Sequence, residues 1–229
     1  MGKMGNGYGS EYQLLRMMGR HRRKFDKMIL EMLPEEGTIE WFDFETSDCK
    51  DREVMNVDFL CDASITSEWR NVWPTNGGKA GPSWDAVGRI NNAYILLEAK
   101  AHKGEMKNSL AATDNNSINR IKAAFSRYQK EQNLNSDSCD WTKIVYQKAN
   151  RIIVSNFLTE KNIEVYLVYV YFINGYKRRD PRNRQIIEDK SFKDKNECLQ
   201  CIEKEKRLMH LDNTHSGIRV YDVFIDCEF

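Results

Sequence analysis

The chain has 229 residues, of which 41 % are hydrophobic and 30 % charged, and its net charge is +1. This length is enough for one domain with a hydrophobic core of its own. The balanced charge excludes a histone-like or polybasic protein, although a local basic patch is compatible with nucleic-acid binding. The longest aliphatic and aromatic run, 165–173, is shorter than the about 20 residues that a membrane span needs.

The start of the chain and its cysteines predict a cytoplasmic protein. The first residues lack the apolar stretch of a secretory signal, and six scattered cysteines then indicate reduced thiols. The single Cys-x-x-C, at 198 and 201, could join two downstream histidines in a zinc site. The helical spacing of Cys198 with Ile202 and Met209 favours packing instead.

The hydrophobic pattern predicts helices and strands in a mixed order along the whole chain. The predicted elements are a helix over 10–32 capped by Ser10, strands over 39–44 and 54–65, a loop over 66–83 containing Trp69 and Trp73, a hairpin of 86–90 with 94–100, helices over 117–131 and 141–160, a strand over 165–173, a basic loop, a helix over 195–209 and a strand over 218–225. We therefore expect one α/β or α+β domain over 1–229, with a central mixed sheet flanked by helices.

The first candidate for chemistry is the triplet Glu98-Ala99-Lys100. The sequence holds three Glu-x-Lys triplets, but only this one ends a strand of consecutive large apolar residues. Strand side chains alternate, so Glu98 and Lys100 point to the same face. Burying both charges is costly unless they are paired or bind a metal. The simpler alternative is a salt-bridged strand end.

Asp85 begins the preceding strand of the predicted hairpin. The hairpin brings the start of that strand beside the end of the next, so Asp85 is expected next to Glu98. Two carboxylates and a lysine at one sheet edge suit a hard divalent cation such as Mg²⁺ or Mn²⁺. The alternative for Asp85 is an ordinary cap at the start of a strand.

Glu11 is the third acidic candidate. It precedes Leu14, Leu15 and Met18 at helical spacing, so we expect it on the core-facing side of the first helix. There it would reach the metal or orient its water. Alternatively, an acid in a first helical turn interacts favourably with the helix dipole.

These residues carry a resemblance to a known family. Pro82-Ser83-Trp84-Asp85, followed after twelve residues by Glu98-Ala99-Lys100, resembles the PD-(D/E)XK signature of the restriction-endonuclease-like nucleases. The order of a leading helix, a hairpin, a helix and a strand is also similar. The resemblance covers roughly residues 8–173 and leaves a C-terminal extension, 174–229, without a counterpart.

The resemblance implies a metal-dependent nuclease with a restriction-endonuclease-like core. Asp85 and Glu98 would hold Mg²⁺, for which Mn²⁺ would substitute, with the backbone carbonyl of Ala99 as a further ligand. Lys100 would position the attacking water and stabilise the transition state, and Glu11 matches an acid found on the leading helix of many members. The expected partner is nucleic acid, with DNA the expected substrate, and a homodimer is possible.

Further residues could contact nucleic acid around this site. His102 follows Lys100 on the same strand face, and a helix after the triplet carries Gln147 and Arg151, of which Gln147 resembles a family glutamine in placement. Five basic residues follow the strand at 165–173, namely Lys177, Arg178, Arg179, Arg182 and Arg184. Such residues could bind phosphates, whereas the alternative is solvated surface charge.

Two other classes of function stay open at this point. One is a binding module that keeps this fold, contacts nucleic acid or protein, and does not cut. The other is an α/β interaction protein in which the Glu-x-Lys triplet is fortuitous. Asp85 and Glu98 lying far apart would favour the latter.

Overall fold

The computed structural model of the protein describes residues 7–42, 53–75, 81–134, 139–211 and 217–228. Within them, the α-helices are α1 (Ser10–Met18), α2 (Arg22–Leu30), α3 (Ala63–Val72), α4 (Asn115–Glu131), α5 (Tyr146–Glu160) and α6 (Lys195–Met209). The β-strands are β1 (Glu40–Trp41), β2 (Val54–Met55), β3 (Ser83–Trp84), β4 (Ala86–Ile90), β5 (Ala93–Lys100), β6 (Val165–Ile173), β7 (Lys177–Arg179), β8 (Ile186–Asp189) and β9 (Arg219–Asp226).

Five strands form one mixed sheet in the order β1-β4-β5-β6-β9. The neighbours β1, β4 and β5 are antiparallel, and Asn91 enters the turn between β4 and β5 with a φ of 51°, a conformation that asparagine tolerates. β6 runs parallel to both β5 and β9. Parallel neighbours need long crossovers, which α4 and α5 supply before β6 and α6 supplies before β9. The predicted mixed sheet with flanking helices is therefore confirmed.

Hydrophobic clusters cover both faces of this sheet. Phe25 and Ile29 of α2 belong to one cluster, and α3 to α6 contribute to the other. All residues of β6 are buried, and successive ones belong alternately to the two clusters. This alternation follows from the two-residue period of a strand, and it explains why β6 is apolar throughout.

The first predicted helix is two helices in the structure. The chain leaves α1 at Gly19 and re-enters a helix at Arg22. Gly9, not Ser10, is the N-cap of α1, and the Ser10 hydroxyl donates to the Glu105 carboxylate at 3.0 Å. The prediction that Ser10 caps the first helix is therefore wrong, because the serine hydroxyl instead binds a distant acid.

The strand predicted over 54–65 is also wrong in most of its length, and the loop predicted over 66–83 is wrong over 66–72, where α3 runs, and at Ser83, which begins β3. Residues 76–80 of that loop lie outside the described residues. Only Val54–Met55 forms a strand, and α3 follows, with the Asp62 carboxylate accepting from the amides of Ser64 and Ile65. Trp69 and Trp73 are each 1 % exposed and stack at 5.7 Å between ring centroids. Both side chains are part of the hydrophobic core, so their rings cannot stack on nucleic-acid bases. The predicted strand over 39–44 shortens to Glu40–Trp41, and residues 43 and 44 lie outside the described residues.

The C-terminal extension, 174–229, completes the sheet. β9 pairs with β6, and α6 buries Cys198, as its helical spacing predicts. The predicted basic loop is instead the antiparallel pair β7–β8, and the helix predicted to begin at 141 begins at Tyr146. Within the described ranges, no cluster of three or more His, Cys, Asp or Glu has a metal-binding arrangement, and His215 lies outside them.

The sequence contains no apolar run as long as a membrane span needs, and the helices of the structure bear on the same question. Among the residues that the structure describes, no helix combines the length and the apolar character needed to cross a bilayer.

Candidate active site

The hairpin of β4 and β5 brings Asp85 beside the Glu98-Ala99-Lys100 triplet. Ala86 pairs with Leu97, which places Asp85 next to Glu98 at the following position. The Asp85 carboxylate accepts from the Ala99 amide with an Oδ2 to N distance of 2.7 Å. The convergence predicted from the hairpin is therefore observed, and it excludes the alternative in which the two acids lie far apart.

Glu98 is 2 % exposed, and both of its carboxylate oxygens accept from cations. Oε1 lies 2.6 Å from Nζ of Lys100, and Oε2 lies 2.7 Å from Nη2 and 3.0 Å from Nε of Arg151. A buried carboxylate needs such partners, because desolvating an unpaired charge is expensive. The triplet thus ends β5 in a salt bridge, as the simpler alternative predicts, and a second cation from α5 joins it.

Lys100 is itself buried and is held by the first turn of α5. Its Nζ donates to Oε1 of Gln147 at 2.7 Å, and that oxygen also accepts from Nδ2 of Asn108 at 3.2 Å. The Asn108 side chain in turn accepts from the Gln147 amide. The helix glutamine singled out in the sequence therefore contacts the lysine directly, and a fixed network orients the ammonium group.

The two carboxyls have opposite pKa shifts. Burial, and then the negative charge of Glu98, raises the pKa of Asp85 to about 8, although Lys100 and Arg151 oppose the shift. Burial also acts to raise the pKa of Glu98, but Arg151 and Lys100 outweigh it and hold that pKa below its ordinary value. Without a further cation, the raised pKa of Asp85 favours its protonated form at neutral pH, and the lowered pKa of Glu98 favours its carboxylate form.

A divalent cation fits this donor set. Asp85, between β3 and β4, and Glu98 of β5 offer carboxylate oxygens. The Ala99 amide points to Asp85, and in an extended strand the carbonyl of the same residue points to the same side. Two carboxylates and a carbonyl, completed by water, are ligands that Mg²⁺ accepts. A cation there would also replace the proton that burial places on Asp85.

Arg151 does not have the role that the sequence suggested. It is 2 % exposed, binds Glu98, and lies over the Trp84 ring at 4.9 Å from its centroid. A side chain so enclosed cannot reach a phosphate at the surface. Its assignment as a nucleic-acid contact is therefore corrected, and Arg151 is an ion-pair partner within the site.

Glu11 is exposed, contrary to the expected core-facing position. The buried side chains of α1 are those of Gln13, Leu14 and Met17, whereas Leu15 is 44 % exposed. At 100° per residue, this stripe is rotated away from Glu11. The prediction that Glu11 lies on the core-facing side of the first helix is therefore wrong.

His102 lies just beyond Lys100, and its side chain binds the backbone of the turn that follows. Its Nδ1 accepts from the Gly104 amide at 3.0 Å, and its ring lies edge-on to Tyr176 at 4.5 Å. Its Nε2 lies 3.5 Å from Glu105. These contacts shape the turn that follows β5, and a phosphate contact by His102 stays a prediction.

The five basic residues predicted to bind nucleic acid lie on β7 and on the turn between β7 and β8. Four of them are exposed, namely Arg178, Arg179, Arg182 and Arg184. Lys177 is largely buried and pairs with Glu228. The sequence thus identified an accessible basic surface, with Lys177 as its least accessible member.

A second polar group extends the site across the sheet, and no pattern in the sequence points to it. Glu98 pairs in register with Tyr169 of β6, which pairs with Asp222 of β9. Above this row, Lys148 of α5 pairs with Glu205 of α6 at 3.0 Å. A small cavity lies between Lys100 and these residues. Only the strand register could have revealed the row, because β6 looks uniformly apolar in sequence.

No family model, curated protein or solved structure matches the chain.

Proposed function

We propose that the protein is a divalent-metal-dependent nuclease that hydrolyses phosphodiester bonds of DNA. The observation that carries this proposal is the joint placement of Asp85, Glu98 and Lys100 at one end of the sheet, with the Asp85 carboxylate bonded to the backbone of the triplet. The fold supports it, since a helix, an antiparallel hairpin, a helical crossover and a parallel strand follow one another as in the restriction-endonuclease-like nucleases.

Asp85, Glu98 and the Ala99 carbonyl would hold Mg²⁺, or Mn²⁺ in its place. When bound, the cation supplies acidification of a water molecule and neutralisation of charge on the phosphate oxygens. Asp85 would bind the cation in its deprotonated form. Glu98 stays ionised throughout, because Arg151 and Lys100 hold its pKa low.

Lys100 would act on the reacting atoms. Its ammonium group has a fixed position, set by Glu98 and Gln147, and it cannot swing away as a surface lysine does. A fixed cation near a developing negative charge stabilises the transition state without reorganisation. In this scheme Gln147 and Asn108 are positioning residues, and Arg151 fixes the Glu98 carboxylate.

One observation favours a second candidate, a module with this fold that binds without cutting. Both oxygens of Glu98 already accept from Lys100 and Arg151, so the carboxylate is neutralised without a metal. A metal would have to share Glu98 with these cations. The two candidates differ in whether the protein takes up a divalent cation and cleaves.

Cleavage of a panel of substrates tests the proposal. Supercoiled plasmid, a single-stranded oligonucleotide and RNA are incubated with Mg²⁺, Mn²⁺ or EDTA, using the wild-type protein and Asp85→Asn. We expect DNA to be cut with either metal, with no product in EDTA or with the variant. Metal uptake without cleavage of any substrate would favour the binding module, and cleavage that survives Asp85→Asn would overturn the assigned site.

A further inference from the structure

The segment 177–189, here called the basic ribbon, consists of β7, its turn and β8. It holds five basic and three acidic residues, while the whole chain has a net charge of only +1. Two of the acids lie on β8 near its base and pair with lysines beyond the ribbon, Glu188 with Lys190 and Asp189 with Lys193. The third acid, Asp180, lies in the turn, where its carboxylate accepts from the Arg182 amide. Over 178–185, four arginines face this one acid, so the turn and the end of β7 present a positive surface.

The basic ribbon stands away from the body of the protein. Ile186 and Ile187 are 46 % and 54 % exposed. Neighbouring strand residues point to opposite faces, so both faces of β8 carry a bare isoleucine and neither is covered. All residues of 181–187 are exposed. An isolated two-stranded ribbon is marginally stable, which favours a partner that covers it.

The base of the basic ribbon is anchored beside the candidate active site. Ser191, just after β8, forms an antiparallel bridge with His102, and the Phe192 amide donates to the Ala101 carbonyl at 3.4 Å. His102 follows Lys100 by two residues, which is about 7 Å along an extended chain. A polymer bound at Lys100 therefore passes close to the base of the ribbon.

The types of side chain in the basic ribbon indicate which kind of nucleic acid it would bind. It contains no aromatic residue, whereas single-strand binding sites stack bases on aromatic rings. Its turn carries Arg182, Asn183, Arg184 and Gln185, the residue types that hydrogen-bond base edges and phosphates, and its isoleucines are apolar groups of the kind inserted into grooves. A two-stranded ribbon also has the width that the major groove admits.

We propose that the basic ribbon enters a groove of double-stranded DNA and holds the duplex against the active site. The choice of nucleic acid as the partner rests on the proposed function. The ribbon then determines that the substrate is a duplex, independently of the residues that would cut it.

Fluorescence anisotropy in EDTA tests this proposal without cleavage. The probes are a labelled 30-base-pair duplex and one of its strands, each titrated with wild-type protein, with Arg182→Ala/Arg184→Ala, and with the control Lys27→Ala/Arg89→Ala. The control removes two exposed charges outside the ribbon, from α2 and from the turn end of β4. Both double variants are surface changes and should keep the wild-type melting temperature.

We expect the wild-type protein to bind the duplex at least about tenfold more tightly than the single strand. The ribbon variant should lose most of that preference, and its slope of log affinity against log salt should fall by about 2, one unit for each lost phosphate contact. The control should keep both the preference and the slope. Equal binding of the two probes, or wild-type binding by the ribbon variant, would overturn the proposal.

The outcome for the ribbon is separable from that for the nuclease. Ribbon-dependent duplex binding by a protein that never cleaves would support this inference and refute the proposed function. Cleavage with ribbon-independent binding would do the reverse. If the ribbon variant instead abolishes self-association in sedimentation equilibrium and leaves duplex binding intact, the ribbon docks a second copy and the inference is wrong.

Discussion

Asp85 is a residue whose acid–base chemistry changes strongly on folding. An unfolded aspartate has a pKa of about 3.9, and the folded protein raises that of Asp85 to about 8. A carboxyl whose pKa rises on folding contributes stability when protonated and loses it as pH increases from the lower value to the higher. At pH 7 the metal-free protein therefore bears a cost in free energy of folding at the site that the proposed function uses.

Asp85→Asn should accordingly stabilise the metal-free protein while abolishing metal binding. We expect its melting temperature in EDTA at pH 7.5 to exceed that of the wild type, with about 2–4 °C for each kcal/mol gained. Added Mn²⁺ should raise the melting temperature of the wild type but not that of the variant. Thermal scans with and without Mn²⁺ measure both effects.

The matched control for this comparison is Glu40→Gln, which neutralises an acid 70 % exposed at the side chain on β1. It should respond to Mn²⁺ as the wild type does. If Asp85→Asn melts below the wild type in EDTA, or keeps the response to Mn²⁺, then Asp85 is not a metal ligand held at a cost.

The motif residues were predictable because their contacts are local. Asp85 meets Glu98 through one tight hairpin, so a turn signal and strand alternation suffice to bring them together. The partners from α5 and from the turn after β5 were not assigned correctly as a set. Gln147 and Arg151 reach the site across a crossover, and the helix face that meets the sheet depends on packing that the local pattern does not determine. No local signal marks Asn108 as part of the network.

At the scale of elements, α5 carries two site residues one helical turn apart. Gln147 binds Lys100 and Arg151 binds Glu98, so one helix face fixes both charges of the triplet. Position i and position i+4 lie on the same face of a helix, which explains this double contact. The helix thereby ties the geometry of the site to the packing of the crossover.

The ion pair of Glu98 and Arg151 is expected to show strong coupling. Arg151→Met leaves a buried carboxylate with one partner fewer and should cost about 3–5 kcal/mol of unfolding free energy. Glu98→Gln should likewise destabilise the protein, because it leaves the buried guanidinium group of Arg151 without its carboxylate partner. The double variant should cost clearly less than the sum of the two, and urea denaturation of the four proteins measures the difference.

Additive costs in this cycle would contradict the account. They would mean that Arg151 stabilises the protein through Trp84 or Asn150 rather than by neutralising Glu98.

Element predictions succeeded where burial is uniform and failed where signals compete. Nine aliphatic and aromatic residues in succession made β6 recognisable, since a strand covered on both faces needs such residues at every position and the run is short and rich in valine and tyrosine. In 54–65, alternating apolar residues suggested a strand. The helix signals were present, however, in the Asp62 cap and in the i,i+4 spacing of Ile65, Trp69 and Trp73, and the helix packs the tryptophans into the core.

At the scale of the whole molecule, the C-terminal third belongs to the core rather than appending to it. β9 closes the sheet beside β6, and its Asp222 extends the polar row that starts at Glu98. Oδ1 of Asp222 is buried and has no hydrogen-bond partner among the described residues. Burial raises the pKa of Asp222, although Lys148 and Lys206 oppose the shift.

Asp222 therefore makes stability depend on pH in a definite direction. Its raised pKa means that the stability contributed by the protonated form is lost as pH rises above the unfolded value of about 3.9. Asp222→Asn should raise the melting temperature more at pH 8 than at pH 4.5. The exposed change Glu31→Gln serves as the control, and a larger gain at pH 4.5 for Asp222→Asn would reverse the sign argued here.

The central claim is that Lys100 acts on a phosphodiester bound beside Asp85 and Glu98. The measurement that tests it most directly is the rate of duplex DNA cleavage in Mg²⁺ by wild-type protein, Lys100→Met and Lys103→Met. Lys103 is the control because it is an exposed lysine three residues further on. The account predicts a loss of at least about 100-fold for Lys100→Met with an unchanged circular dichroism spectrum, and a wild-type rate for Lys103→Met. Wild-type cleavage by Lys100→Met, or equal losses in both variants, would contradict it.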